Sequence, residues 1–356
     1  MKHIAVSEII EKRIANGDYS IDGLPPEREL AIEVGVSRVT LRNALSLLHE
    51  KSLIERGENR RFVLTEKAVK NAGIVQLALI VPAVVGKSFS LDLQRWQANV
   101  EEAVRKSNAR CKVVHYHHWD DPVIVRTMHS YEGIFLITNS EPIPDRIKSL
   151  IKNTTKLVSL SDDLTNLGVP SLVMYPPRSV VKLLNHLSKL GHDRISCFNV
   201  QGHNLVTESR IDKWKEWLSA NSFQGELFDF PCDLETNIFD FALGVARQEL
   251  VEISKSATAL FCTTLPAAMG ICRAAADANI RIGEDLSVCV VDAEGLASHL
   301  VPSLTSLKHP ESLRSINSAI EWFANDSSIE GWKGKMLVEP RQLELFVGES
   351  TSPPPN

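Results

Sequence analysis

Long apolar runs and secretory features are missing from this chain of 356 residues. No stretch approaches the roughly 18 apolar residues that a membrane-spanning helix needs. The opening segment, "MKHIAVSEIIEKRIANG", places charges among its apolar positions, which is not typical of a secretory signal. With 44% hydrophobic and 23% charged residues, the composition is that of a globular protein long enough for two or three domains. We therefore expect a cytoplasmic location and no membrane partner.

Motifs of the common enzyme classes are absent as well. The sequence contains no G-x-G-x-x-G, G-x-x-x-x-G-K-[ST], H-E-x-x-H or G-x-S-x-G pattern. Spacing fixes no nucleophile, general base or metal-ligand set, so an enzyme is disfavoured and no cofactor is expected.

Signals for metals and disulfides are weak. The six cysteines show no C-x-x-C spacing and mostly lie in apolar runs, which favours buried thiols over ligands or disulfides. In "HYHHWDD" (115–121), His115 and His117 share one face of a strand, close to Asp120 and Asp121. Because spacing fixes no third ligand, we expect a polar strand end and predict no metal site.

Excess positive charge is missing too, although basic residues cluster locally. The net charge is -5, and residues 1–70 hold 12 basic and 11 acidic side chains. A weak net charge with a local cluster suits a small DNA-reading face better than non-specific coating of nucleic acid. The clustered residues are Arg38, Arg42, Lys51, Arg56, Arg60 and Arg61.

The first seventy residues have the pattern of three helices followed by a hairpin. Pro25 and Pro26 suit the start of the second helix, Gly35 permits a sharp turn, and Ser37 is a good N-cap for the third. "LIER" and "RRFVLTE" then form two β-like runs around "GEN". This pattern predicts a winged helix-turn-helix over residues 1–70.

The third helix divides into a buried and an exposed face. Its apolar residues at i, i+3, i+4 and i+7 face a core. The polar residues near its start are left off that stripe, where a recognition helix meets base edges in the major groove. They are Arg38, Thr40, Arg42 and Asn43.

The run "LPPERELAIEVGVSRVTLRNALSLLHEKSLIER" closely resembles the DNA-binding domain of GntR-family bacterial regulators, over residues 5–65. The resemblance implies contacts with double-stranded operator DNA from Arg28 in the second helix, and from Arg38, Thr40 and Arg42 in the third. An arginine can clamp a phosphate or bind guanine with both arms. The alternative is that each arginine is only a solvated charge.

The wing departs from the GntR pattern. Glycine-rich residues usually precede "FV" in the family, and here Asn59, Arg60 and Arg61 stand there. We expect the wing tip to reach the minor groove by charge, through Arg60 and Arg61.

Residues 77–345 alternate short apolar runs with helical segments. Such alternation predicts α/β architecture with parallel sheets covered by helices on both faces. After a linker at 71–76, we expect lobe 1 over about 77–175 and 308–337, and lobe 2 over about 178–303. Residues 346–356 form a tail, and its end, "STSPPPN", is expected to be disordered.

Four stretches resemble the effector domain of LacI/GalR-type repressors, which has a fold like that of periplasmic sugar-binding proteins. They are "HLSKLGHDRIS" (186–196), "TALFCTTLPAAMGICRAAADANIRIGEDLSVCVVD" (258–292), "VPSLTSL" (301–307) and "LVEPRQLELFVGESTSPPP" (337–355). The joined modules resemble the arabinose-responsive repressors. The resemblance implies a homodimer whose operator affinity depends on a small-molecule effector bound between the lobes, where α/β sheets bind ligands.

The resemblance also implies the effector site. Arg210 and Asp292 would bind the hydroxyl groups of a sugar, since a guanidinium donates several hydrogen bonds and a carboxylate accepts from adjacent hydroxyls. Ser161, Thr264 and His309 would flank the crevice, and Phe89 would stack on the sugar's apolar face. The alternative for Asp292 is a turn cap, and for Arg210 an ion pair with Glu208 or Asp212.

Several family positions are changed in this crevice. Thr264 and Leu265 stand where the family has an Asn-Asp pair. Val290 and Lys213 each stand where the family has a glycine, and Ala293 stands where it has an aspartate. The usual set of contacts with a free sugar is therefore incomplete. We expect a transcriptional repressor that senses a carbohydrate or a derivative; the alternative is a dimeric DNA-binding scaffold with a vestigial cleft and no ligand.

Overall fold

The structure is a computed structural model. It describes residues 2–15, 18–19, 24–57, 62–65, 68, 75–83, 91–139, 141–233, 235–325 and 336–355. Within these ranges, no helix is both long enough and apolar enough to cross a bilayer.

The N-terminal head contains three helices and a two-stranded wing, as predicted. Their order is α1 (Lys2–Ala15), α2 (Glu27–Glu33), α3 (Arg38–Glu50), β1 (Ile54–Arg56) and β2 (Phe62–Leu64), with β1 and β2 antiparallel. Gly35 turns the chain between α2 and α3 with φ at +67°. Ser37 caps α3 by accepting from the Thr40 amide at 3.2 Å.

The core of the head comes from the predicted apolar stripe of α3. Leu41, Ala44, Leu45 and Leu48 are buried there, together with residues from α1, α2 and β1. Burying this stripe directs the opposite face of α3 outward, which is the face that carries the predicted DNA contacts.

The larger domain alternates strands and helices. Its elements are β3 (Val75–Pro82), α4 (Leu91–Arg105), β4 (Ala109–Tyr116), α5 (Pro122–Ser130), β5 (Gly133–Leu136), α6 (Asp145–Asn153), β6 (Leu157–Leu160), β7 (Ser171–Leu172), α7 (Ser179–Lys189), β8 (Ile195–Asn199), α8 (Leu205–Asn221), β9 (Leu227–Asp229), α9 (Ile238–Ser256), β10 (Ala259–Cys262), α10 (Leu265–Asp277), β11 (Ser287–Asp292), β12 (Thr305–Leu307), α11 (Leu313–Ala324), β13 (Leu337–Val338) and β14 (Leu345–Phe346).

Two six-stranded sheets organise this domain. Lobe 1 has the strand order β13-β7-β6-β5-β3-β4, and its pairs are parallel. Lobe 2 has the order β14-β12-β11-β10-β8-β9; β14 pairs antiparallel with β12, and the other described pairs of this sheet are parallel. In lobe 1, α4 and α11 cover one face of the sheet, and α5 and α6 cover the other. In lobe 2, α7 and α8 cover one face, and α9 and α10 cover the other. The predicted α/β architecture is confirmed.

The chain passes between the lobes three times, near residues 173–178, 308–312 and 339–344. These crossings bring the carboxyl ends of the strands in the two lobes toward a common crevice. All six cysteines are free thiols, and Cys197, Cys262 and Cys289 are fully buried, in keeping with the predicted role as small apolar side chains.

The C-terminal segment is ordered through residue 355, so the prediction of a disordered end is wrong. The Ser350 amide donates to the carbonyl of Ser303 at 2.9 Å, and the Val288 amide donates to the carbonyl of Ser350 at 2.7 Å. Buried His192 lies 2.8 Å from the carbonyl of Ser352. The segment thus satisfies backbone groups of lobe 2, which local composition does not reveal.

Candidate functional site

The first candidate site is the outer face of α3. Arg38, Arg42 and Asn43 are exposed, and Thr40 is half-buried, with its hydroxyl 2.8 Å from that of Ser37. Arg28 is exposed on α2. The capped start of α3 therefore presents the side chains that the sequence assigned to DNA.

One contact joins the two helices at this face. Arg42 donates from Nε to Glu27 Oε2 at 2.8 Å, which ties the first turn of α2 to α3. At the base of the wing, the Arg56 guanidinium lies 5.0 Å from the centre of the Phe62 ring. The predicted wing contacts, Arg60 and Arg61, lie outside the described residues.

The second candidate site is a cleft of about 990 Å³ between the lobes. Thr138 and Ser161 follow strands of lobe 1, whereas Gln201, Thr264 and Asp292 follow or end strands of lobe 2. The lining therefore comes from the carboxyl ends of parallel strands, where ligands of such sheets bind.

The cleft brings together four of the six residues predicted to bind an effector. Ser161, Arg210, Thr264 and Asp292 all line it. His309 lies nearby, at the crossing between β12 and α11, in contact with Arg95 and Tyr175 rather than among the lining residues. The sixth residue, Phe89, lies outside the described residues.

Arg210 is 9% exposed and extends from the first half of α8. Its Nη1 donates to the carbonyl of Thr263 at 2.6 Å, and its Nε has no hydrogen-bond partner among the described residues. Burial lowers the pKa of Arg210, while the carboxylate of Asp292 acts in the opposite direction. A guanidinium remains charged nonetheless, because its ordinary pKa is so high.

The expected alternative partners of Arg210 bind other residues. Glu208 lies 4.0 Å from His203, and Asp212 lies 3.8 Å from Lys215. Arg210 is thus held toward the cleft by a backbone carbonyl and keeps a donor unused.

Asp292 has both a structural and an exposed side. Its Oδ1 accepts from the Glu294 amide at 2.7 Å, which is the turn cap given as the alternative. Its Oδ2 lies 3.6 Å from Arg95, and its side chain is 12% exposed at the cleft. The turn cap and access to a ligand therefore coexist.

Sequence reasoning missed several charged groups at the base of the cleft. Arg95 and Asp92 come from α4, whereas Asp162 follows β6 and Glu294 follows β11. Asp162 accepts a hydrogen bond from the Thr138 hydroxyl. The Leu91 amide donates to Glu294 at 3.0 Å and so links lobe 1 to lobe 2.

Burial changes the acidity of these groups. It raises the pKa of Asp92 to about 6, with a further contribution from the nearby charge of Asp292. It likewise raises the pKa of Asp162 to about 6 and that of Glu294 to about 7. Desolvation penalises a carboxylate, and for these three groups burial outweighs the opposing effect of the nearby arginines on the pKa.

His309 is neutral in this environment. Burial and the neighbouring Arg95 lower the pKa of His309 to about 4, although Asp292 opposes the shift. Its Nδ1 lies 2.7 Å from Arg95 Nη1 and 3.1 Å from the Tyr175 hydroxyl, so it accepts and the proton resides on Nε2.

Asp92, Asp292 and His309 are the described residues close enough to share a metal ion, with candidate ligand atoms within 4.8 Å of one another. The Arg95 guanidinium already contacts both Asp292 and His309. The Nδ1 atom of His309 is thus already engaged by Arg95, and we assign no metal to this cluster.

The segment "HYHHWDD" serves mainly as a strand end. His115 is exposed on β4, and Asp121 caps α5 by accepting from the Val123 amide at 2.9 Å. His117 and His118 line the mouth of the cleft, where His118 lies 2.8 Å from Glu141 and this contact raises the pKa of His118.

Two family models match the chain. Residues 4–64 match "Bacterial regulatory proteins, gntR family", and residues 184–313 match "Periplasmic binding protein-like domain". The chain joins a GntR-type head to a periplasmic-binding-protein-like domain. This is the combination that the sequence motifs predicted.

Curated relatives match part of the chain. The HTH-type transcriptional repressor PurR of Vibrio atlanticus is 27% identical over 35% of this chain and 37% of its own. An uncharacterised HTH-type regulator of Rhizobium meliloti is 40% identical over 17% of this chain and 26% of its own. The HTH-type transcriptional repressor CytR of Escherichia coli K12 is 24% identical over 50% of this chain and 51% of its own. The chain thus spans no more than about half the length of these relatives.

Solved structures show the same fold for the larger domain. The dimeric Lac repressor with an 11-residue C-terminal deletion aligns with a TM-score of 0.62 and 18% identity, covering 79% of this chain and 100% of that one. A LacI family transcriptional regulator from Bifidobacterium animalis aligns with a TM-score of 0.64 and 17% identity, covering 78% of this chain and 98% of that one. None of these relatives or neighbours is named as an enzyme, which agrees with the missing catalytic motifs.

Proposed function

We propose that the chain is a transcriptional repressor that binds operator DNA through its GntR-type head and is controlled by a small molecule bound in the cleft. One observation carries this proposal. A capped helix with an exposed polar start belongs to the same chain as a polar, solvent-accessible cleft between two α/β lobes.

The head would bind DNA through the start of α3 in the major groove. Arg38 is exposed there and can bind a guanine edge with both arms, while Thr40 and Asn43 reach neighbouring bases or phosphates. Arg42 is held by Glu27, which fixes the direction of its remaining nitrogens. Arg28, Arg60 and Arg61 would bind phosphates or the minor groove and set the orientation of the head.

The cleft would bind a carbohydrate or a derivative of one. Arg210 and the Thr264 hydroxyl have buried polar atoms without a partner among the described residues, and both line the cleft. An unpaired buried polar atom costs free energy, which a ligand hydroxyl group would recover. Asp292 and Ser161 add an acceptor and a hydroxyl, and Trp96 and Tyr175 provide apolar lining. The predicted stacking by Phe89 belongs to the same proposal.

The effector would act by changing how the lobes meet. Arg95 and Asp292 lie on different lobes, as do Leu91 and Glu294, so two contacts already join them beside the cleft. A ligand that binds Asp292 alters this junction and favours one lobe arrangement over the other. In a homodimer, that change shifts the spacing of the heads and the operator affinity. Access to DNA would place the chain in the cytoplasm.

The alternative, a scaffold with a vestigial cleft, also has an observation in its favour. Asp292 is occupied by the Glu294 amide and by Arg95, and Thr264 and Leu265 supply no amide side chain to a ligand. The unused donors of Arg210 and Thr264 weigh against it, because a site without a ligand gains nothing from keeping them buried.

Two steps test the proposal. The full-length chain is first used to select binding sites from random duplex DNA, and a palindromic consensus is expected from a dimer of heads. Operator affinity is then measured with neutral, amino and phosphorylated monosaccharides. A ligand that changes this affinity at least about tenfold supports an effector-controlled regulator. Selection without any enriched sequence contradicts the proposal, and specific DNA binding that no compound affects favours the scaffold.

A further inference from the structure

The charges at the base of the cleft do not balance. Four carboxylates lie there, from Asp92, Asp162, Asp292 and Glu294, and all line the cleft. Against them stand two guanidiniums, those of Arg210 in the lining and Arg95 beside it. With every group ionised, this base carries an excess of two negative charges.

The mouth of the cleft adds to the imbalance. Asp233 and Glu235 are exposed there, and Glu141 faces His118. A cleft lined by one sign of charge focuses its field and raises the local concentration of ligands with the opposite sign. An anionic ligand would meet repulsion at both the mouth and the base.

The spacing of two of these groups suits a small nitrogen cation. Carboxylate oxygens of Asp92 and Asp292 lie within 4.8 Å of one another. An ammonium nitrogen at about 2.8 Å from each oxygen can bridge such a gap with two charge-assisted hydrogen bonds. Burial raises the pKa of Asp92 to about 6 and that of Glu294 to about 7, and the neighbouring charge of Asp292 adds to both shifts.

The remaining polar groups suit hydroxyls. Arg210 is 9% exposed, lines the cleft and keeps its Nε unpartnered among the described residues, and the Thr264 hydroxyl is in the same position. These atoms can donate to, or exchange hydrogen bonds with, the oxygens of a polyol.

We propose that the ligand of this cleft is a polyhydroxylated amine of monosaccharide size, with its ammonium group between Asp92 and Asp292 and its hydroxyls at Arg210 and Thr264. The assignment deepens the proposed function and rests on it. A divalent metal is a poorer occupant, because the Arg95 guanidinium already lies 2.7 Å from His309, the third group that could coordinate it.

The test compares matched compounds on the full-length chain without DNA. Glucose, galactose and mannose are each measured beside the 2-amino sugar, its neutral N-acetyl form and the 6-phosphate, by thermal shift and calorimetry. At least one amino sugar is expected to bind about tenfold or more tightly than its neutral parent and its N-acetyl form. Tighter binding of any neutral or phosphorylated member, no binding by any amino sugar, or a thermal shift with Ca²⁺ or Mg²⁺ alone overturns the assignment.

A nearly isosteric variant locates the charge effect. Asp92→Asn is expected to weaken binding of the amino sugar more than that of its neutral parent, and so to lose the preference for the amine. Asp120→Asn, an exposed acid outside the cleft lining, serves as the control and is expected to keep that preference. A preference unchanged in Asp92→Asn contradicts the placement of the ammonium.

The outcomes separate this assignment from the proposed function. If a neutral sugar binds best and alters operator affinity, the charge assignment fails and the effector-controlled regulator stands. If an amino sugar binds best but leaves operator affinity unchanged, the charge assignment stands and control by an effector fails.

Discussion

Arg210 and Asp292 could be found from the sequence, whereas Arg95 and Asp92 could not. Asp292 ends a strand within a stretch that resembles the LacI/GalR effector domain, and Arg210 lies in the helix that follows another strand of the same sheet, whose carboxyl end faces the same way. Arg95 reaches Asp292 at 3.6 Å although almost 200 positions separate them. The position of α4 next to Asp292 of lobe 2 depends on the packing of the whole domain, and no local pattern in the sequence encodes it.

At the residue scale, substitution of Arg38 tests directly whether α3 binds bases. Arg38→Ala is expected to weaken operator binding by about 1–3 kcal/mol and to relax the preference at one base pair, as loss of a two-armed guanine contact does. Gel-shift titration against the selected operator and its single-base variants measures both effects. Arg126→Ala, an exposed arginine on α5, is the control. Equal affinity of Arg38→Ala and the parent removes Arg38 from the reading face.

Asp292 calls for two substitutions, because its two oxygens do different things. Asp292→Asn keeps an oxygen for the Glu294 amide and removes the charge, whereas Asp292→Ala also removes the turn cap. Both are expected to lower effector affinity about tenfold or more, and the alanine variant alone to lose about 1 kcal/mol of stability. Calorimetric ligand titration and thermal unfolding give the two quantities. An asparagine variant with unchanged ligand binding contradicts the proposed contact.

Asp162 predicts a specific dependence of stability on pH. Its pKa is raised from 3.8 to about 6 by burial, so the folded chain holds this proton more tightly than the unfolded chain. The resulting stabilisation is present below pH 3.8 and is lost as the pH rises through about 6. Asp162→Asn is therefore expected to gain melting temperature relative to the parent from pH 4.5 to 7.5. A constant difference across that range, as expected for the exposed control Asp120→Asn, would argue against a buried carboxylate.

At the scale of elements, the sequence predicts helices with a strong apolar periodicity better than very short strands near the C-terminus. The buried stripe of α3 was predicted from the spacing of its apolar residues. The sequence analysis did not single out α11, although its Ile316, Ile320 and Phe323 repeat at helical spacing and are buried against lobe 1. The two-residue strand β14 has no local signal, because it exists only through its pairing with β12.

The ordered C-terminal segment gives a prediction at this scale. Removing residues 343–356 deletes β14, takes away the partners of the Val288 amide and the Ser303 carbonyl, and removes one of the contacts of His192. Several lost buried hydrogen bonds are expected to lower the melting temperature on the order of 5 °C or more. Removing residues 353–356 alone spares these bonds and serves as the matched control. Equal melting temperatures for both truncations would restore the view of a passive tail.

At the scale of the whole molecule, the head and the larger domain would contribute differently to DNA affinity. The head has its own core and a small basic face, but residues 1–70 are nearly neutral in net charge. Affinity for DNA rises with the number of phosphates neutralised, so one such head gains little from electrostatics alone. The larger domain would compensate by holding two heads at a fixed spacing.

This reasoning predicts a dimer formed through residues 77–345. Two linked heads gain effective concentration, so the full-length chain is expected to bind a palindromic operator about 10²–10⁴-fold more tightly than residues 1–70 alone. Light scattering at micromolar concentration should give twice the chain mass of 39.5 kDa for the full-length protein and a monomer for the head. Gel shifts on operators with one or two half-sites measure the gain. The dimer should lose most of its advantage on the single half-site, since the second head then has no site to occupy. A full-length monomer that binds the palindrome tightly would contradict the role assigned to the larger domain.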